Sequence, residues 1–113
     1  DLVRFADLFN SPTSASLLTE PIVSEIFSNP TGDDNDVFYG YGWLVRRVKG
    51  VSQVNTWHNG SLPGTSTLLV RRHDGFNWAV LFNARDGKGA KNLSTLIDPL
   101  IHRAVNRVKD WPK

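Results

Sequence analysis

Apolar residues recur at helical spacing near both ends of the chain and alternate with polar ones in its middle, and this change of period divides the sequence into three stretches. Leu2, Phe5, Ala6 and Phe9 follow Asp1, a common N-cap residue, which predicts a short helix or the last turns of a longer one, ended by Asn10, Ser11 and Pro12. A second helical stretch is expected over residues 17–27, where Leu18, Ile22, Ile26 and Phe27 keep one face and Glu20-Pro21 suits a start near Pro21. Thr31, Gly32, Asp33, Asp34, Asn35 and Asp36 then make a polar loop, so residues 1–36 form a helical and loop lead-in.

From Val37 the residues turn aromatic and β-branched with glycine between them, the pattern of strands and tight turns. The first strand is predicted over residues 38–48, with Lys49-Gly50 as a hairpin turn. A return strand over residues 52–58 puts Val54, Thr56 and His58 on one face and Gln53, Asn55 and Trp57 on the other. Residues 59–64 hold two glycines and a proline and are expected to leave the ladder. A third strand over residues 65–72 carries Leu68 and Val70 on one face, and His73-Asp74-Gly75 turns the chain. The fourth, over residues 77–83, is apolar on both sides, with Trp78, Val80 and Phe82 against Ala79 and Leu81, which predicts a central strand.

Over residues 88–110, Leu93, Leu96, Ile97, Leu100, Ile101, Ala104, Val105 and Val108 draw one stripe down a helix, and Pro99 does not break its phase. Leu100 lies in the stripe, so its truncation to alanine is expected to cost about 2–5 kcal/mol as a core deletion. The expected fold is α+β: an antiparallel sheet of about four strands over residues 37–83, a C-terminal helix packed on one face, and short helices before them. All 113 residues form one domain.

Composition narrows the possible functions. With 40% hydrophobic and 21% charged residues the chain is globular rather than disordered, and no apolar run reaches the length of a membrane span. A net charge of +2 is too small an excess to mark a nucleic-acid surface. Cysteine is absent, which excludes a disulfide framework, a thiolate metal site and a cysteine nucleophile. Methionine is absent too, and the opening Asp1-Leu2-Val3-Arg4-Phe5 is neither a translation start nor a signal peptide, so the chain is expected to be an excised piece or a processed product.

One segment concentrates candidate chemistry: Trp57-His58-Asn59-Gly60-Ser61-Leu62-Pro63-Gly64-Thr65-Ser66. A strand delivers a basic side chain at His58, Gly60 lets a ligand approach the backbone closely, and Pro63-Gly64 turns the chain into the next strand. An edge of this kind can donate backbone N–H groups to a carbonyl; the plainer reading is a surface histidine with glycines that serve turn geometry. Other candidates are weaker. Asp33, Asp34 and Asp36 miss the register of an EF-hand loop, and His58, His73 and His102 lack metal-ligand spacing, so no metal and no cofactor is expected. Arg46-Arg47 and Arg71-Arg72 with Trp43 and Trp78 suit a half-exposed sheet better than a nucleic-acid face. Asn59-Gly60-Ser61 and Asn92-Leu93-Ser94 match the glycosylation pattern, a low-specificity signal.

Tyr39-Gly40-Tyr41-Gly42-Trp43, then His58-Asn59-Gly60-Ser61-Leu62-Pro63-Gly64, then Asp74-Gly75 and Val80-Leu81-Phe82-Asn83, occur in an order that resembles the C-terminal part of the class C β-lactamase-like family. These penicillin-recognising serine hydrolases include D-alanyl-D-alanine carboxypeptidases, D-aminopeptidases and esterases, and the resemblance runs from Asp1 to about Val108. It implies a partial β-lactamase-like fold and acyl transfer on small-molecule or peptide-like amide or ester substrates. Of the family's Ser-x-x-Lys, Tyr-x-Asn and Lys/His-x-Gly motifs, only the last is present. By the resemblance, His58 is the basic group facing the site, Asn59 contacts a substrate carboxylate or nearby groups, Gly60 is the gap that admits substrate, and the Ser61 backbone N–H is one oxyanion donor. The second donor belongs to the missing nucleophile. Histidine in place of lysine, and Asn59 in place of threonine or serine, favour the peptidase and esterase branches over lactam hydrolysis.

The resemblance further implies that the N-terminal portion of the parent supplies strands to the sheet. An open edge is expected at the strand around Tyr41 and Trp43 or at the segment carrying His58, with self-association or binding of that portion as the result. The competing expectation is a non-catalytic binding or interaction domain that has retained the fold.

Overall fold

In the computed structural model, which describes residues 1–10, 17–87, 89 and 91–111, the fold is α+β, and two short helices precede a five-stranded antiparallel sheet. The helices are α1 (Leu2–Asp7) and α2 (Glu20–Ile26). The strands are β1 (Val37–Tyr39), β2 (Leu44–Arg47), β3 (Val54–Leu62), β4 (Thr65–Arg71) and β5 (Asn77–Phe82), and they lie side by side in chain order. The C-terminal helix is α3 (Leu93–Arg107). Among the described residues no helix is long and apolar enough to cross a membrane.

The sheet has one strand more than expected, because the stretch over residues 38–48 breaks in two. Gly42 takes a φ of 82°, a region open to glycine, and bends β1 into β2. Gly40 is fixed by space: a Cβ there would lie 2.7 Å from the Ile26 carbonyl oxygen, which accepts the Tyr41 N–H at 3.0 Å. The pairing then sets Phe38 against Val45 and Val45 against Thr56, so these three side chains share a face.

Two further expectations are corrected. Residues 59–62 do not leave the ladder; β3 runs on to Leu62, and only Pro63-Gly64 turns, Gly64 taking a φ of 80° after the fixed φ of proline. The strand over residues 77–83 is not central but lies at the sheet edge as β5, and its two apolar sides reflect partial exposure of both.

The chain divides into two compact units. The first contains Asp1–His58 and Leu69–Ala79. Its core is Ala6 and Phe9 from the α1 region, Val23 from α2, Trp43 from the bend between β1 and β2, and Val45 from β2, with Leu18, Ile26, Phe27, Phe38, Val54 and Leu69 packed around it. Helix α1 closes at Asp7, ahead of Asn10; Ser11 and Pro12 lie outside the described residues. Helix α2 is shorter than the periodicity suggested and begins at Glu20, with Pro21 in its first turn, where a missing N–H costs nothing.

The second unit contains Asn59–Leu68 and Val80–Lys113, and α3 dominates it. Asn92 caps this helix by accepting the Ser94 N–H at 3.0 Å. Pro99 sits inside a continuous run of 15 helical residues. On α3 only Ser94 is buried, Leu93, Leu96, Ile97, Asp98, Ile101, His102 and Val105 are half-buried, and Leu100 is 48% exposed. Leu100 is therefore not a core residue. Leu100→Ala is expected to cost less than about 1 kcal/mol, since surface truncations fall in that range; a loss in the core range on denaturant titration would contradict the exposure.

Candidate functional site

The segment singled out in the sequence runs from β3 through the Pro63-Gly64 turn into β4, with Trp57 and His58 in the first unit and the residues from Asn59 onward in the second. In the first unit, β3 buries Thr56 completely and then emerges, leaving His58 exposed. Tyr39 of β1 packs against it, the rings 6.2 Å apart and steeply inclined at 68°. The register accounts for the approach: Tyr39 pairs with Leu44, and Leu44 with Trp57, the neighbour of His58. Arg46 covers the Trp57 ring at 5.2 Å, so the side chain beside His58 is occupied by a structural cation–π contact. His58 thus presents an exposed imidazole beside an exposed phenol.

In the second unit, Asn59 and Ser61 are exposed. The Gly60 N–H donates to Thr67 Oγ1 at 3.1 Å, and a Cβ on Gly60 would lie 2.5 Å from that oxygen. Thr67 therefore fills the space that the sequence reading assigned to a ligand, and glycine is needed there whether or not a substrate binds. The Ser61 hydroxyl accepts from Asn92 Nδ2 at 2.8 Å. Asn92 Oδ1 in turn accepts from the Ser94 N–H at 3.0 Å and the Ser94 hydroxyl at 2.7 Å. Ser61 is thereby tied to the first turn of α3 by one amide. An open cleft of about 650 Å³ lies nearby, lined by Pro63, Gly64, Asn83, Ala84, Arg85 and Asp86. Arg85 pairs with Asp86 at 2.9 Å, and this hydrogen bond raises the guanidinium pKa above its ordinary value.

Tyr39, Thr67 and Asn92 were missed as site neighbours. Asn92 carried a readable signal, since an asparagine directly before an apolar helical run is an N-cap. Its amide is fully engaged and Ser94 is 1% exposed, so Asn92-Leu93-Ser94 is a capping motif. Tyr39 and Thr67 left no local signal, because both arrive through strand pairing.

The other histidines serve elsewhere. His73 packs its backbone N–H and its Nδ1 on Asn55 Oδ1, each at 2.9 Å, and His102 lies 3.5 Å from Asp98 one turn away on α3. Among the described residues no group of histidine and acidic side chains is arranged to hold a metal ion.

The acidic loop is held by its own hydrogen bonds. Asn29 Nδ2 and the Thr31 hydroxyl donate to the Asp33 carboxylate at 2.8 and 2.9 Å, and the Asn35 N–H adds a third bond at 3.2 Å. These donors hold the Asp33 carboxyl below its ordinary pKa, with Asn29 contributing most. A depressed carboxylate stabilises the fold above its unfolded value and loses that contribution as pH falls through the folded value. Asn29→Ala is thus expected to raise the Asp33 pKa in a carbonyl-detected NMR titration. An unmoved titration curve would show that Asn29 does not set it.

Comparison with protein-family models, with curated proteins and with solved structures finds no match to this chain.

Proposed function

We propose that β3 supplies one wall of an acyl-transfer site in a serine hydrolase related to the class C β-lactamases, acting on amide or ester substrates. The observation that carries this reading is the emergence of β3 beyond the buried Thr56, which leaves His58 and Asn59 of the His-x-Gly motif, and Ser61 just after it, exposed. On this reading His58 holds and releases a proton, the Asn59 amide binds a substrate carboxylate or amide, and the Ser61 backbone N–H stabilises the negative charge of the tetrahedral intermediate. Asn92 anchors the Ser61 side chain. The nucleophile comes from another part of the polypeptide, since no serine of this chain has a lysine three residues later.

The isolated chain is therefore expected to hydrolyse neither nitrocefin, p-nitrophenyl esters nor D-amino acid amides, because an oxyanion donor without a nucleophile stabilises an intermediate that never forms. Mass spectrometry after incubation with penicillin should show no adduct, and stoichiometric acylation of any serine here would contradict the proposal. A second reading, a binding module that keeps the fold without catalysis, draws on Thr67 and Asn92, which account for Gly60 and Ser61 by internal bonds alone. The two readings separate on labelling of a polypeptide that carries this chain together with its N-terminal portion: fluorophosphonate or fluorescent penicillin marks only a hydrolase.

A further inference from the structure

Beyond Trp57, β3 loses its neighbour on one side. The pairing with β2 covers Val54 to Trp57, so among the described residues Asn59, Gly60, Ser61 and Leu62 are held by β4 alone. A stretch paired on one side opens more readily than one paired on both. It contains Asn59-Gly60, the one place in the chain where glycine follows asparagine. Asn59 is exposed, and its side chain bonds to no other group among the described residues. Glycine presents no Cβ to hinder its own backbone nitrogen, so that nitrogen can reach the side-chain amide of the residue before it once the backbone leaves the extended conformation. In the closed strand it is engaged: the Gly60 N–H donates to Thr67 Oγ1 at 3.1 Å.

We propose that Asn59 is a site of spontaneous deamidation, reached by local opening of β3 from β4 and held back by the Thr67 hydroxyl. The Gly60 nitrogen attacks Asn59 Cγ; the new N–C bond forms, the Cγ–Nδ2 bond breaks, and the amide leaves as ammonia with the proton of the Gly60 nitrogen. Water then opens the cyclic imide. Addition at Cγ gives aspartate at position 59, and addition at the backbone carbonyl carbon gives isoaspartate. Either product lowers the formal charge from +2 to +1. Isoaspartate also adds a methylene to the backbone of β3, which throws the residues after it out of register with β4. Asn92, in the same unit, is protected by contrast: Ser61 and Ser94 occupy both ends of its amide, and leucine follows it. The modification is independent of the hydrolase reading, since it needs only Asn59, Gly60, Thr67 and water.

Incubation of the whole folded chain at mildly alkaline pH, followed by peptide mapping with mass spectrometry, tests the proposal. The mass gain of an amide-to-acid change is expected on the peptide that holds Asn59 before any other asparagine converts, and labelling by an isoaspartyl methyltransferase should appear with it. Thr67→Val keeps the side-chain shape but not the acceptor and should speed the conversion about five-fold, the fold-change of an ordinary neutral hydrogen bond. Thr67→Ser keeps the hydroxyl and should convert at the parent's rate. Asn59→Gln should remove the early gain. Circular dichroism establishes that each variant is folded, and exchange of the Gly60 N–H should quicken in Thr67→Val in the same proportion as the chemistry. No gain at Asn59, an earlier gain at another asparagine, or equal rates for the parent and the folded Thr67→Val variant would overturn the proposal.

Discussion

Trp43→Ala is expected to cost about 3–5 kcal/mol, the range for deleting a large aromatic side chain from a packed core. Trp43 is 4% exposed, and three phenylalanine rings surround it: Phe5 stacked at 6.1 Å, with Phe9 and Phe27 edge-on at 5.4 and 6.3 Å. Those rings come from the α1 region and from the end of α2, so the indole joins both lead-in helices to the sheet. Its loss opens a cavity that none of the three can fill without leaving the other contacts. Denaturant titration checks this, with Tyr41→Ala as the control. Tyr41 is 55% exposed two residues away, and its truncation should stay within about 0.5 kcal/mol of the parent. Equal losses for both would contradict the cluster's role.

The next largest effect is expected at Arg71. This side chain is 7% exposed, and among the described residues no carboxylate pairs with it. Instead its guanidinium donates to the Val54 carbonyl at 3.3 Å and the Phe9 carbonyl at 3.2 Å, and lies 5.2 Å from the centre of the Phe27 ring. Burial lowers its pKa, yet a guanidinium stays charged at any pH of interest. Arg71→Ala leaves two carbonyls without their donor and should cost about 2–4 kcal/mol. Arg71→Met keeps the stem but not the donors, so it should recover only the packing part. An alanine variant that unfolds at the parent's denaturant midpoint would show that the two bonds contribute nothing net.

Much of the fold could be read from period and turn chemistry. The α3 stripe, the Pro63-Gly64 turn and the shift from helices to strands at Val37 all rest on local signals, and all are present. What misled was information that depends on partners. Gly40 and Gly42 split the first strand because α2 offers a carbonyl at Ile26, a contact invisible in a linear reading. The apolar residues of β5 suggested a central strand, since alternation reports which sides are apolar and not how many neighbours a strand has. Leu100 was placed in the core because the stripe on α3 is wider than the side the helix buries. For the site, His58, Asn59 and Ser61 stand out by composition, while the groups that hold them, Tyr39 across the sheet and Asn92 at the helix cap, come from 19 residues before His58 and 31 residues after Ser61.

The proposed role of the β3 wall is tested most directly by His58→Ala in a polypeptide that joins this chain to a segment bearing the Ser-x-x-Lys nucleophile. His58 is exposed, so the substitution should leave folding intact. With a p-nitrophenyl ester or a D-amino acid amide as substrate, kcat/KM should fall by about 10²–10⁴, the usual contribution of a positioned proton-transfer group. An unchanged kcat/KM in the folded variant would contradict the assignment of this strand to the reacting site.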